Sequence, residues 1–189
     1  MIFAGGDMRY VLAALSCLIL IATVGCGGQH KAAEDAKFYR TFASDKRIMS
    51  TILKKFLADY LVKDLNITPR CYNGHAYLVG EYETEKQRER AVEIAKAVEG
   101  VKTLETYLLP KKEGDPCKPE ENLRITSEVK AKIAGDRKIW SKNLSIATAQ
   151  CNVVLMGFVS ERSEIQRVIE HAKKVEGVRS VQSFLKSLK

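Results

Sequence analysis

NITPRCYNGHAYLVGEYETEKQRERAVEIAKAVEGVKTLETYLL, residues 66–109, changes its hydrophobic period twice, and those changes decide the fold. Ile67 to Cys71 and His75 to Gly80 read as short strands. They are split by Asn73-Gly74, a dipeptide suited to the two positive φ angles of a tight hairpin turn. Thr84 and Gln87 then stand three apart, the spacing of a capping box. Behind them Ala91, Ile94, Ala95 and Val98 recur at helical intervals and make a buried stripe. Gly100 suits the C′ position that stops this helix, and Val101 to Leu109 reads as a third strand. Upstream, Ile48, Ile52, Leu53, Phe56, Leu57 and Tyr60 lie three and four residues apart, which predicts an earlier helix burying all six on one face, with Ser44 as its N-cap. The unit is αββαβ, a three-stranded sheet packed on two helices.

Displaced by 77 positions, the chain matches itself without a gap. Arg47 meets Arg124, Asp59 meets Asp136, Asn66 meets Asn143, Gly80 meets Gly157 and Arg90 meets Arg167, and Val98-Glu99-Gly100-Val101 meets Val175-Glu176-Gly177-Val178. The second copy places Ile125, Val129 and Ile133 on its first helix, a hairpin from Leu144 to Gly157, and Ile165, Val168, Ile169, Ala172 and Val175 on its second helix, which Gly177 stops. Its turn is Ala149-Gln150-Cys151-Asn152, with no Asn-Gly, which predicts a longer or bulged loop. The fold class is therefore α+β, with module one at 44–110, a Pro/Gly/Lys linker at 111–121 and module two at 122–189. A unit of about 65 residues sits near the size at which one core is marginal, so the copies are expected to pack on one another.

The N-terminus carries a different signal. Tyr10 to Val24 is uncharged and follows Met8-Arg9, the layout of a secretory signal over residues 1–25; Met8 is an alternative start, because Asp7 precedes it. The apolar run is shorter than the roughly 20 residues of a spanning helix. It ends at Ala22-Thr23-Val24-Gly25-Cys26, which resembles a bacterial lipobox with Thr23 in place of the usual Leu. That resemblance implies acylation of Cys26 and cleavage before it. Residues 26–43 would then be a lipidated tether reaching about 27 Å as a helix or roughly 24 Å as a coil.

With Cys17 removed and Cys26 lipidated, Cys71, Cys117 and Cys151 remain in an oxidising compartment: one disulfide and one thiol, or three thiols. Spacing does not choose the pair. His30, His75 and His171 fall in no metal spacing and beside no nucleophile motif, and no phosphate-cradling glycine loop occurs. No catalytic or metal residue, cofactor or enzymatic activity is implied. His171 takes the place of Ile94 on a helix stripe, as a core or edge histidine.

A Gly that closes the second strand and a Val-Glu-Gly-Val element before the third make each unit resemble the BON domain. The second copy is the closer match, through Val154-Leu155-Met156-Gly157, Ser160-Glu161-Arg162 and Val175 to Val181. Two copies behind a lipobox are similar to the dual-BON outer-membrane lipoproteins. The resemblance implies anchorage in the outer membrane facing the periplasm, binding of anionic phospholipid through the second module, and support of outer-membrane integrity. A soluble relative of the family implies the alternative: a periplasmic protein-interaction or chaperone-like module in envelope stress, for which lipid is only a tether and envelope proteins are the partners.

Charge agrees with an anionic partner. The chain holds 31 Lys and Arg against 23 Asp and Glu, a net of +8, and removing residues 1–25 takes one charge of each sign. An envelope compartment excludes nucleic acid. The candidate head-group site is Trp140, the chain's single Trp, among Arg137, Lys138 and Lys142, with Lys130 on the preceding helix. An amphipathic ring among cations is the interfacial combination. Trp140 corresponds to Lys63 in the first copy, so the fold does not demand a buried ring there; packing in module two or between the modules is its other role. Module one has Lys46-Arg47, Lys54-Lys55 and Lys63 without an aromatic at its exposed positions, and ranks second.

Overall fold

The structure is a computed structural model, and it describes residues 27–139 and 141–188. The contacts divide the chain into residues 1–41 and 42–189, and the second unit holds both repeats.

Helix α1 spans Gly27–Ala58, followed by strands β1 (Ile67–Tyr72) and β2 (His75–Tyr82), helix α2 (Glu85–Lys96) and strand β3 (Thr103–Pro110). The second copy repeats this as α3 (Pro119–Ala134), β4 (Leu144–Ala149), β5 (Asn152–Val159), α4 (Arg162–Lys173) and β6 (Ser180–Ser187), with a short 3₁₀ turn at Ser141–Asn143. Each sheet has its middle strand paired antiparallel to the hairpin partner and parallel to the last strand, in the orders β1-β2-β3 and β4-β5-β6. The helix between the parallel strands is the long crossover that such a pair requires.

Three cores explain this arrangement. Ile48, Ile52 and Phe56 pack with Cys71, Ala76, Leu78, Ile94 and Val98 between the first sheet and its helices. Ile125, Val129, Ile133, Ile146, Leu155 and Val168 do the same in the second copy. The opposite faces of the sheets meet each other through Tyr77, Val79, Ala147, Ala149, Val154 and Met156. The expected packing of copy on copy is thus sheet against sheet, in four layers with helices outside. The central strands are buried on both faces, so Tyr77-Leu78-Val79 and Val153-Val154-Leu155-Met156 are continuous apolar runs and not alternating ones.

The stacking has a definite sense. Arg70 Nε donates to Ser145 Oγ at 3.2 Å, which sets β1 over β4. His75, at the start of β2, meets the Phe158 ring near the end of β5 at 5.8 Å between centroids. Gln150, before β5, donates through Nε2 to the carbonyl of Pro110, at the end of β3, at 2.8 Å. The strands of the two sheets therefore run in opposite directions, and the copies are related by a pseudo-twofold axis that lies between the sheets and crosses the strands.

Four sequence expectations are corrected. Helix α1 does not begin at Ser44; it runs through it from Gly27, because KAAEDAKFYRTF contains no helix breaker. Only Ile48, Ile52 and Phe56 of its six apolar positions are buried, whereas Leu53, Leu57 and Tyr60 stand exposed. Helix α2 closes on Ala97, and Gly100 lies three residues on, inside the turn closed by Val101 N donating to the Val98 carbonyl. Finally, the second hairpin is neither longer nor bulged. Ala149 pairs with Asn152 as Tyr72 pairs with His75, and Gln150 and Cys151 take φ of 48° and 57°, as Asn73 and Gly74 take 50° and 78°.

The repeated glycine at the end of the middle strand has a steric reason. A Cβ on Gly157, at φ 108°, would lie 2.0 Å from the Asn143 carbonyl oxygen, and one on Gly80 would lie 2.0 Å from that of Asn66. Strand and preceding chain touch backbone to backbone there. The Thr84–Gln87 capping box is present, with Gln87 N donating to Thr84 Oγ1 at 3.3 Å and Thr84 N to Gln87 Oε1 at 2.9 Å.

Candidate functional site

Each module's first helix ends on an aspartate that ties it to the second helix. Asp59 accepts from Leu61 N at 3.0 Å and from Arg90 Nε at 2.7 Å. Its counterpart Asp136 accepts from Lys138 N at 2.9 Å, faces His171 Nε2 at 2.9 Å and pairs with Arg167. The contact with His171, then the Lys138 N–H, hold the Asp136 carboxyl below its ordinary range. His171 thus stands at the edge of the helix stripe, half-buried against this carboxylate. The segment after α3 is fixed by these bonds and by Ile139, which is buried in the module-two core.

On that frame Arg137, Lys138 and Lys142 are exposed, and so is Lys130 four residues before the end of α3. The ion pairs of the second copy use Arg124, Arg167, His171 and Arg179. Among the described residues none involves Lys130, Arg137, Lys138 or Lys142, so their charge is open to an external anion. Trp140 and Cys26 lie outside the described residues.

The hairpin turns are held by parallel sets of contacts. In the first copy the buried Asp45 accepts from Asn73 N at 2.7 Å and Gly74 N at 2.9 Å, and from the Cys71 thiol at 3.2 Å, while Lys102 Nζ donates to the Asn73 carbonyl at 3.0 Å. Burial first, then Asp45, push the Cys71 thiol up to about 12. In the second copy Asn122, the Asp45 counterpart, accepts from Cys151 N at 2.9 Å, and Arg179 replaces Lys102 at the Gln150 carbonyl. A disulfide joins Cys151 to Cys117, leaving Cys71 as the buried free thiol. Arg179 also forks onto Asp115 at 2.7 and 2.8 Å, and Asp115 Oδ1 accepts from Cys117 N at 2.8 Å. Arg179 first, then that N–H, bring the Asp115 carboxyl down to about 2. The linker is therefore stapled to the module-two turn covalently and by charge. Two non-glycine residues there can hold the left-handed conformation that Asn-Gly holds in the first copy.

A surface that the periodicity did not separate from the core lies on α1 and the turn just after it. Leu53, Leu57 and Tyr60 are 43%, 70% and 77% exposed, and Phe42 is 49% exposed with Lys46 Nζ 4.6 Å over its ring. The first module thus does carry aromatics beside its cations, contrary to the ranking by sequence. Among the described residues there is no cluster of three or more metal-binding side chains, and no helix is long and apolar enough to cross a membrane.

Comparison with known proteins agrees with the repeat. The BON domain matches residues 44–108 and again residues 122–187. Osmotically-inducible protein Y of Escherichia coli K12 is 30% identical over 148 residues, which cover 77% of this chain and 74% of that protein. The outer membrane lipoprotein DolP of Haemophilus influenzae is 24% identical over 169 residues, 88% of this chain and 87% of the other. An uncharacterised protein of Anaplasma centrale is 29% identical over 122 residues, 64% and 81% of the two chains. A sheet-and-helix unit occurring twice, with its turn, capping box and strand-closing glycine at equivalent positions, is what these matches cover, and the chain belongs to the BON-domain family with two copies of that domain.

Proposed function

We propose that this is a lipid-anchored, periplasm-facing protein of the outer membrane whose BON modules engage anionic phospholipid and support the integrity of that membrane. Acylated Cys26 is the anchor, and Arg137, Lys138, Lys142 and Lys130, with Trp140, are the head-group contacts. The observation that carries the reading is the group of four exposed cations along and just after α3, which take part in no ion pair among the described residues. The neighbouring Asp136 is already engaged by His171 and Arg167, so it does not neutralise them. A basic side chain at an anionic bilayer contributes about 1 kcal/mol, so three together contribute about 3 kcal/mol, roughly a 150-fold change in partitioning. The likeness to an outer membrane lipoprotein and to an osmotically inducible protein supports an envelope setting.

The test is flotation of the chain lacking residues 1–26 with phosphatidylglycerol-containing vesicles. Arg137→Glu with Lys138→Glu and Lys142→Glu should abolish binding that neutral phosphatidylcholine vesicles never support. Equal binding of the wild type and the triple variant would remove this site. Mass spectrometry of membrane-extracted protein tests the anchor, by the mass of a diacylglyceryl and an acyl chain on Cys26.

A further inference from the structure

The exposed apolar stripe on α1 is not required by the fold, because the second copy does without it. At the 77-residue offset Leu53 becomes Lys130 and Leu57 becomes Ala134, on a helix that packs its core in the same way, and Tyr60 becomes Arg137 in the turn that follows it. One copy has therefore placed three large apolar groups in water where the other has placed two cations and an alanine. The two sets open toward the same edge of the sandwich. Thr126 of α3 meets Thr148 of β4, hydroxyl to hydroxyl at 2.7 Å, so the side of the helix that carries Thr126 faces the outer strand. Lys130 lies one turn on from Thr126, just outside that contact. Met49, partly buried against the first core, is the Thr126 counterpart, and Leu53 lies one turn on from it toward β1. The Arg70–Ser145 bond stacks β1 over β4, and a twofold axis crossing the strands leaves both helices' outer flanks on that one edge.

We infer that the β1/β4 edge is a composite membrane-docking surface, to which module one supplies insertion and module two supplies head-group charge. The inference rests on the proposed contact with anionic lipid and adds orientation to it: the sandwich stands edge-on to the bilayer. Charge identifies the occupant. Lys46, Lys54 and Lys63 are exposed beside the stripe, whereas Asp45 is buried and Asp59 is bound to Arg90. A second copy docked face to face would bring like charges together, while anionic head groups over an apolar layer match both components. Leu and Tyr with flanking Lys are the composition of an interfacial helix face.

The full chain, reconstituted into vesicles, is labelled with an environment-sensitive fluorophore at one of three positions: Leu57→Cys, its counterpart Ala134→Cys, or Thr106→Cys on the opposite edge strand β3. In phosphatidylglycerol vesicles containing brominated acyl chains, positions 57 and 134 should both be shielded, with 57 quenched the more, and position 106 should stay in water. Shielding at 134 alone would overturn the edge-on surface and leave lipid docking by module two standing. Exposure of both 57 and 134 would overturn both. Shielding at 57 that appears without vesicles and rises with protein concentration would assign the stripe to a second copy. The repeat also supplies a variant built to fold: Leu53→Lys, Leu57→Ala and Tyr60→Arg, read by a label at 134. It raises the positive charge yet should lower the docked-to-undocked ratio in high salt roughly tenfold or more, since apolar burial resists salt and charge does not. An unchanged ratio would refute insertion through module one.

Discussion

Breaking the Cys117–Cys151 bond should cost the protein much of its stability, and the structure sets how much. The two cysteines are 34 residues apart, so the bond closes a loop containing the whole of α3 and β4. The loop-closure expression gives about 3.8 kcal/mol at 25 °C for a loop of that length. With a urea dependence of about 2 kcal/mol per molar, the unfolding midpoint of Cys117→Ser with Cys151→Ser should fall by about 1.9 M. The staple has a second task, since Cys151 is held at φ 57° where its counterpart is Gly74. Without the bond nothing covalent enforces that conformation, and a residue with no Cβ relieves it. Cys117→Ser with Cys151→Gly should therefore recover about 1 kcal/mol relative to the double serine variant. Urea titrations followed by circular dichroism, with and without reductant, measure all three. A wild-type midpoint indifferent to reductant would refute the staple, and a glycine variant no better than the serine one would refute the account of the turn.

Leu155 is fully buried in the module-two core and Leu57 is exposed, so Leu155→Ala should cost about 3 kcal/mol in chemical denaturation while Leu57→Ala stays within about 0.5 kcal/mol. Because the folded-state pKa of Asp115 lies near 2, below its ordinary value of 3.8, its bond to Arg179 contributes fully above the ordinary carboxylate range and is lost as pH falls toward 2. Asp115→Asn should remove that leg of the acid-stability curve, and an identical curve would show that the fork onto Arg179 adds nothing. Native protein at pH 8 should resist alkylation of Cys71, whose thiol is buried and pushed up to about 12, whereas urea-unfolded protein reacts. Peptide mass spectrometry under non-reducing conditions distinguishes them, and equal labelling would place Cys71 at the surface.

Local chemistry made much of this protein legible in the sequence. Asn73-Gly74, Thr84 with Gln87 and the run Ala91-Ile94-Ala95-Val98 each specify their element through interactions within a few residues, and the repeat transferred them to the second copy. The second hairpin resisted the same treatment. Gln150-Cys151 lacks the intrinsic preference for positive φ, and the contacts that impose it come from residues up to 40 positions away: Pro110, Cys117, Asn122 and Arg179.

The candidate docking surface divides in the same way. Periodicity marks Leu53, Leu57 and Tyr60 as apolar positions of a helix, but it registers spacing alone, and an exposed apolar row looks the same as the buried row of Ile48, Ile52 and Phe56 beside it. Likewise the cations of Lys130 and Arg137–Lys142 are plain in the sequence, whereas the structure turns Asp136 to His171 and Arg167 and leaves these cations in no ion pair among the described residues. The elements, their order and their duplication are legible from the residues alone, because they follow from short-range turn chemistry, capping and hydrophobic period. Only the tertiary structure decided that the sheets stack back to back with β1 over β4, since that placement is set by side chains from both copies meeting in the core between the sheets. That stacking brings the apolar flank of one module and the basic flank of the other to a common edge.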